Sequence, residues 1–85
     1  MSLPYKMPKR DLKEYYNREC RFKLKSGQEI YGVLWEVESA TGKGLYFTSL
    51  FNATKLRSNN DFEMVTELGQ PMKIDQIILA ERLVS

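Results

Sequence analysis

The sequence predicts a mainly β protein: five short antiparallel strands closed into a small barrel, with a short N-terminal α-helix in front of them. Three observations carry this. Apolar residues alternate at period two after Cys20 and then recur in short runs set apart by turn residues, the pattern of half-buried strands. Ser26-Gly27 and then Ala40-Thr41-Gly42-Lys43-Gly44 are brief reversals, and short connections make consecutive strands antiparallel. An 85-residue chain has one modest core to share, so closing the strands on one another removes edges that would stay exposed.

Residues 1–8 contain Pro4 and Pro8, each of which drives the preceding residue out of the helical region, so they form a flexible tail ahead of a single domain over 9–85. In 9–19 the apolar Leu12, Tyr15 and Tyr16 make one stripe while Arg10, Lys13, Asn17 and Arg18 fall elsewhere. The spacing predicts an amphipathic helix, too short to stand without packing. The first strand, 20–25, turns Cys20, Phe22 and Leu24 to one face and Arg21, Lys23 and Lys25 to the other. The second strand, 28–38, is longer and apolar on both faces. An aromatic-rich third strand runs over 45–51, with Tyr46 and Phe47 on opposite faces. Residues 52–61 are polar enough for a loop, although Ala53 to Leu56 also fits a strand extension or a helical turn. A fourth strand is predicted at 62–66, with Phe51 and Phe62 filling the barrel. After a turn at Ile74-Asp75-Gln76 the last strand spans 77–83, with Ile74, Ile77, Leu79 and Leu83 inward.

The spacing Phe22-x-Leu24-x-x-Gly27-x-x-Ile30-x-Gly32-x-Leu34 resembles the first motif of Sm and Sm-like proteins. There an apolar strand, a glycine turn and a second strand with a bending glycine open an SH3-like barrel. The closing Lys73-Ile-Asp-Gln-Ile-Ile-Leu-Ala-Glu-Arg-Leu83 is similar to the last strand of such barrels, and biotin-ligase C-terminal domains share the glycine spacing. The resemblance implies an SH3-like (Sm-like) barrel. It does not extend to the RNA pocket: where Sm proteins carry an aspartate and then a Met-Asn pair, this chain has Glu38 and Thr41-Gly42. The glycine of the second motif, Gly69, has no arginine before it, and Lys73 is followed by Ile74 rather than histidine.

Composition narrows the chemistry. There is no histidine and a single cysteine, which excludes an internal disulfide, leaves a metal site to carboxylates alone and removes the usual bases for serine or cysteine nucleophiles. Cys20 shares its face with Phe22 and Leu24, as a buried inert thiol would. Gly42-Lys43-Gly44 lacks the spacing of a phosphate loop, and Glu36, Glu38 and Glu63 read as surface charges. No enzyme activity, cofactor or metal is expected. No apolar run reaches the roughly 18 residues of a membrane span, and the start lacks the apolar core of a secretory signal, so a cytoplasmic location is expected.

Charge is uneven. Residues 1–25 hold eight cations against three anions, and the rest hold five against eight. Arg18, Arg21, Lys23 and Lys25 are therefore candidate nucleic-acid contacts, their bland alternative being a solvated face. In the second strand Ile30, Gly32 and Leu34 share one face, and Tyr31, Val33, Trp35 and Val37 the other. Either a strand bent at Gly32 feeds core on both sides, or Tyr31, Val33 and Trp35, extended by Tyr46, form an exposed partner surface. The sequence thus supports a non-catalytic binding or assembly module, self-associating into a homo-oligomer or binding a protein partner through those aromatics. Its alternative is single-stranded RNA binding through the basic helix and first strand.

Overall fold

A computed structural model describes residues 9–83; the predicted tail, 1–8, lies outside them. Five strands make one antiparallel sheet: β1 (Glu19–Leu24), β2 (Glu29–Ser39), β3 (Gly42–Ser49), β4 (Gln70–Pro71) and β5 (Ile77–Arg82), in the spatial order β4-β3-β2-β1-β5. The β1–β2–β3 meander follows from the short turns read in the sequence, whereas β5 reaches β1 from the far end of the chain, a pairing no local turn dictates. Closure does not. β4 and β5 stand at opposite edges with no ladder between them. β4 has two residues, one of them a proline without an N–H, too little backbone to complete a barrel.

The chain between β3 and β4 is helical, where a loop and a fourth strand are predicted. Helix α1 (Leu50–Asn59) starts at Ser49, whose side chain accepts the N–H of Asn52, and ends on Asn60 in the left-handed conformation. A serine N-cap and an asparagine at the exit are strong helix boundaries. Phe51 therefore ends no strand. It projects 72% exposed from the first turn of α1, with Lys55 one turn on lying over its ring. A 3-10 turn (Phe62–Met64) and helix α2 (Val65–Leu68) replace the strand predicted at 62–66. Gly69 ends α2, its N–H donating to the Val65 carbonyl. A Cβ there would meet that oxygen at 2.7 Å and the Phe47 carbonyl at 2.9 Å, so glycine alone lets the chain drop from helix to sheet edge.

At the start, a 3-10 helix (Lys9–Tyr15) stands in place of the α-helix predicted over 9–19. It stops early because Tyr16 bridges to Leu34 and Asn17 adopts φ 65°, turning the chain into β1. Its stripe still packs: Leu12 is buried, and Tyr15 and Tyr16 lie against the core.

The core has two compartments, one on each face of the sheet. The first holds Leu12, Cys20, Phe22, Leu34, Leu45, Phe47, Ile77 and Ala80. The second, between the opposite face and the helices, holds Val33, Trp35, Ala53, Leu56 and Val65. Burial on both sides explains why the middle of β2, Gly32 to Trp35, is apolar on both faces. Gly32 sits where the strands approach most closely: a Cβ there would lie 1.9 Å from the Thr48 carbonyl oxygen and 2.6 Å from the Phe47 ring. In β5 the pairing with β1 shifts between Lys23 and Leu24, setting Ile77 opposite Leu24 and Leu79 opposite Lys23. This bulge turns Ile77 and Ala80 inward and puts Leu79 on the far face with Lys23, contrary to simple alternation. Leu83, also predicted inward, is exposed.

Candidate functional site

β2 is longer than the strand beside it, and the site follows from that mismatch. β1 pairs with it from Glu29 to Val33, whereas β3 pairs with it from Gly32 to Ser39. Beyond Val33 the β1 side of β2 is closed once more, by the Asn17 N–H donating to the Leu34 carbonyl at 2.9 Å. Past that point no strand among the described residues pairs with this edge. In a strand the N–H and C=O of residue i and of residue i+2 point to the same side. The Leu34 carbonyl marks that side, so the backbone groups of Glu36 and Glu38 are directed to the open edge.

A groove of about 520 Å³ runs along this edge, lined by Asn17, Trp35, Glu36, Val37, Glu38, Arg57, Phe62 and Val65. Its floor is apolar. Trp35 is 6% exposed and donates from Nε1 to the Thr48 hydroxyl at 2.9 Å. Val65 arrives from α2, and Phe62 stands as a wall 5.7 Å from the Trp35 ring, itself 48% exposed. Arg57, from the last turn of α1, closes one end. Its guanidinium lies 5.6 Å over the Trp35 ring, donates to the Asn17 carbonyl and stands 3.7 Å from a Glu19 carboxylate oxygen.

The two faces of the edge differ in charge. Trp35 and Val37 project to the helix side with the second compartment. Glu36 and Glu38 project to the opposite side, that of Leu34. There Tyr16 is pushed above its ordinary pKa, first by burial and then by the negative charge of Glu36.

The candidate interface residues divide. Val33 and Trp35 are covered by α1 and α2 within the chain, so neither is a free surface, and Tyr46 packs partly into the same compartment. Tyr31 is 49% exposed, on a different part of the sheet, opposite Arg21. The candidate nucleic-acid contacts divide as well. Arg21 is clamped between Glu29 and Glu81, 3.0 Å from a carboxylate oxygen of each, and these hydrogen bonds raise its already high pKa. Arg18 donates to the Glu14 carbonyl. Lys23, on the outer face of β1, and Lys25, in the turn that follows it, have no ion pair among the described residues. Cys20 is fully buried, its Sγ 3.7 Å from the Tyr15 carbonyl, and burial pushes its thiol up despite Arg82 and Arg18 nearby.

Sequence reasoning overlooked Arg57 and Phe62, because the pattern of 52–66 concealed the helices that carry them. One signal was available: a second strand five residues longer than the first (28–38 against 20–25) cannot be paired along its whole length by it. Comparison with protein families, with curated proteins and with solved structures finds no match to this chain.

Proposed function

We propose that this protein is a non-catalytic, protein-binding module that takes a peptide segment of a partner in the groove between β2 and the α1–α2 helices. The single observation that carries this is the placement of an exposed aromatic wall, Phe62, and half-buried Val37 beside a strand edge that no strand among the described residues pairs with. Aromatic side chains at a concave, partly desolvated surface are the usual anchors of protein recognition. The fold reading that goes with it is an Sm-like sheet, supported by Gly27 with φ 93° in the β1–β2 turn, Gly32 at the close approach, and β5 closing beside β1. A buried thiol with a raised pKa is a poor nucleophile, which supports the non-catalytic reading.

The RNA reading loses weight at Arg21. A guanidinium already held by two carboxylates gives little to a phosphate, and of the four candidate cations Arg18, Lys23 and Lys25 remain without an ion pair among the described residues.

Selection of short peptides against the full chain tests the proposal. Selected peptides are expected to shift the emission of Trp35, the single tryptophan. They should bind at least about tenfold more weakly to Phe62→Asp, the loss of one modest hot spot, and equally well to Lys23→Glu/Lys25→Glu. Thermal melts of each variant establish that it is folded. Peptides indifferent to Phe62→Asp, or salt-dependent RNA binding abolished by the double lysine variant, would sink the proposal.

A further inference from the structure

We infer that the partner segment binds by strand addition: it pairs with the free edge of β2 at Glu36 and Glu38, with basic residues alternating with apolar ones. This rests on the groove being the binding site, and adds to it a binding mode and a ligand chemistry.

The mode follows from the backbone. β3 occupies one side of β2 to Ser39, while β1 leaves the other at Val33. An unpaired strand edge is a template for another strand, and proteins usually cover or blunt it. Here α1 and the Phe62 turn do not cover it. They stand back from it and form the far wall of an open groove, with the Asn17–Arg57 contact as its end stop. A groove of about 520 Å³ has room for a short extended segment, for which main-chain hydrogen bonds give affinity and alternate side chains give selectivity. Four residues from Trp35 to Glu38 line the run, about 13 Å at roughly 3.3 Å per residue, so the pairing segment is short.

The chemistry follows from the two faces. Residues opposite one another on neighbouring strands place their side chains on the same face. A ligand residue opposite Trp35 or Val37 therefore enters the apolar side, against Phe62 and Val65. One opposite Glu36 or Glu38 stands beside a carboxylate, where a lysine or arginine is matched and an acidic residue repelled. Arg57 does not reverse this sign, because it lies at the closed end and is engaged by the Asn17 carbonyl, the Trp35 ring and Glu19; Lys43, opposite Glu38 on β3, offsets one of the two carboxylates and leaves the face net negative. The segment thus reads basic-apolar-basic-apolar along its length.

The test uses the isotope-labelled full chain and the acetylated, amidated pentapeptide Lys-Val-Lys-Val-Lys. Two further versions are N-methylated, one on the lysine amides and one on the valine amides, and a fourth peptide is Glu-Val-Glu-Val-Glu. An added strand turns alternate amides toward β2 and the rest to solvent. The lysine peptide is expected to shift the Glu36 and Glu38 amides, and one methylated version should bind at least about tenfold more weakly than the other. The glutamate peptide should be the weaker ligand for the natural chain and the stronger for Glu36→Lys/Glu38→Lys. Equal binding of the two methylated versions, with shifts still confined to the groove, overturns strand addition while leaving the groove a binding site. Shifts elsewhere, or none, overturn both readings. A glutamate peptide that binds as well as the lysine peptide overturns the proposed chemistry.

Discussion

Replacing Trp35 by phenylalanine and Thr48 by valine, singly and together, asks whether the second compartment is held by a specific polar contact or by bulk alone. The indole Nε1 and the Thr48 hydroxyl meet at 2.9 Å between side chains that are 6% and 1% exposed. Thr48→Val leaves the indole N–H facing methyl groups. An unpaired buried donor costs about 1–3 kcal/mol. Trp35→Phe strands the hydroxyl at a similar cost, and the smaller ring adds about 1 kcal/mol if some 40 Å³ stays empty at about 24 cal/mol per Å³. The double variant has no stranded polar atom and keeps only the cavity. Its loss should therefore fall short of the sum of the single losses by about 2 kcal/mol or more, the two stranding costs taken together at their lower end. Urea unfolding followed by far-ultraviolet circular dichroism suits the measurement, because Trp35→Phe removes the single tryptophan. For a domain of this size each kcal/mol moves Tm by about 4–8 °C, so the coupling is well resolved. Losses that add to within about 0.5 kcal/mol would mean that the two groups do not depend on each other. The assignment of Trp35 to this compartment by a hydrogen bond would then be wrong.

Gly32→Ala should destabilise by about 3 kcal/mol or more, the upper end for overpacking, since the clash at 1.9 Å is with backbone rather than a movable side chain; a loss below about 1 kcal/mol in urea unfolding would show that the strands do not meet there so closely. The alkaline side carries a linkage prediction. Burial raises Cys20 above 9.0 and Tyr16 above 10.0, so the folded state holds these protons longer than the unfolded chain. Their contribution is complete below the ordinary values and is lost as pH rises through the raised ones. Unfolding free energy should start to fall above pH 9.0, and Cys20→Ala should flatten the first part of the decline; an unchanged profile in that variant would refute the assignment to the thiol.

The meander was legible because period-two patterning and glycine turns are local. Cys20, Phe22 and Leu24 alternate with Arg21, Lys23 and Lys25, and the first three lie inside or against the core as that alternation requires. The opposed placement of Tyr46 and Phe47 followed for the same reason. Residues 50–68 misled because their local signals conflict. Phe51 and the run from Phe62 to Thr66 have strand propensity, but only Ala53 and Leu56 of α1 are buried, leaving too thin an apolar stripe to reveal a helix. Leu79 was misplaced by a bulge, which is invisible to any argument from strict alternation.

By itself the sequence determined that the chain builds an antiparallel meander with a buried thiol and a second strand apolar on both faces, because patterning and turn chemistry act over a few residues. Whether Trp35 was core or surface could not be read in this way: it depended on what the chain laid over that face from another part of its length. Only the tertiary structure decided that α1 and α2 cover Val33 and Trp35, and that no strand among the described residues covers the edge at Glu36 and Glu38 beside Phe62. Burial and edge pairing are set by contacts distant in sequence, and those exist only once the sheet and the helices have packed.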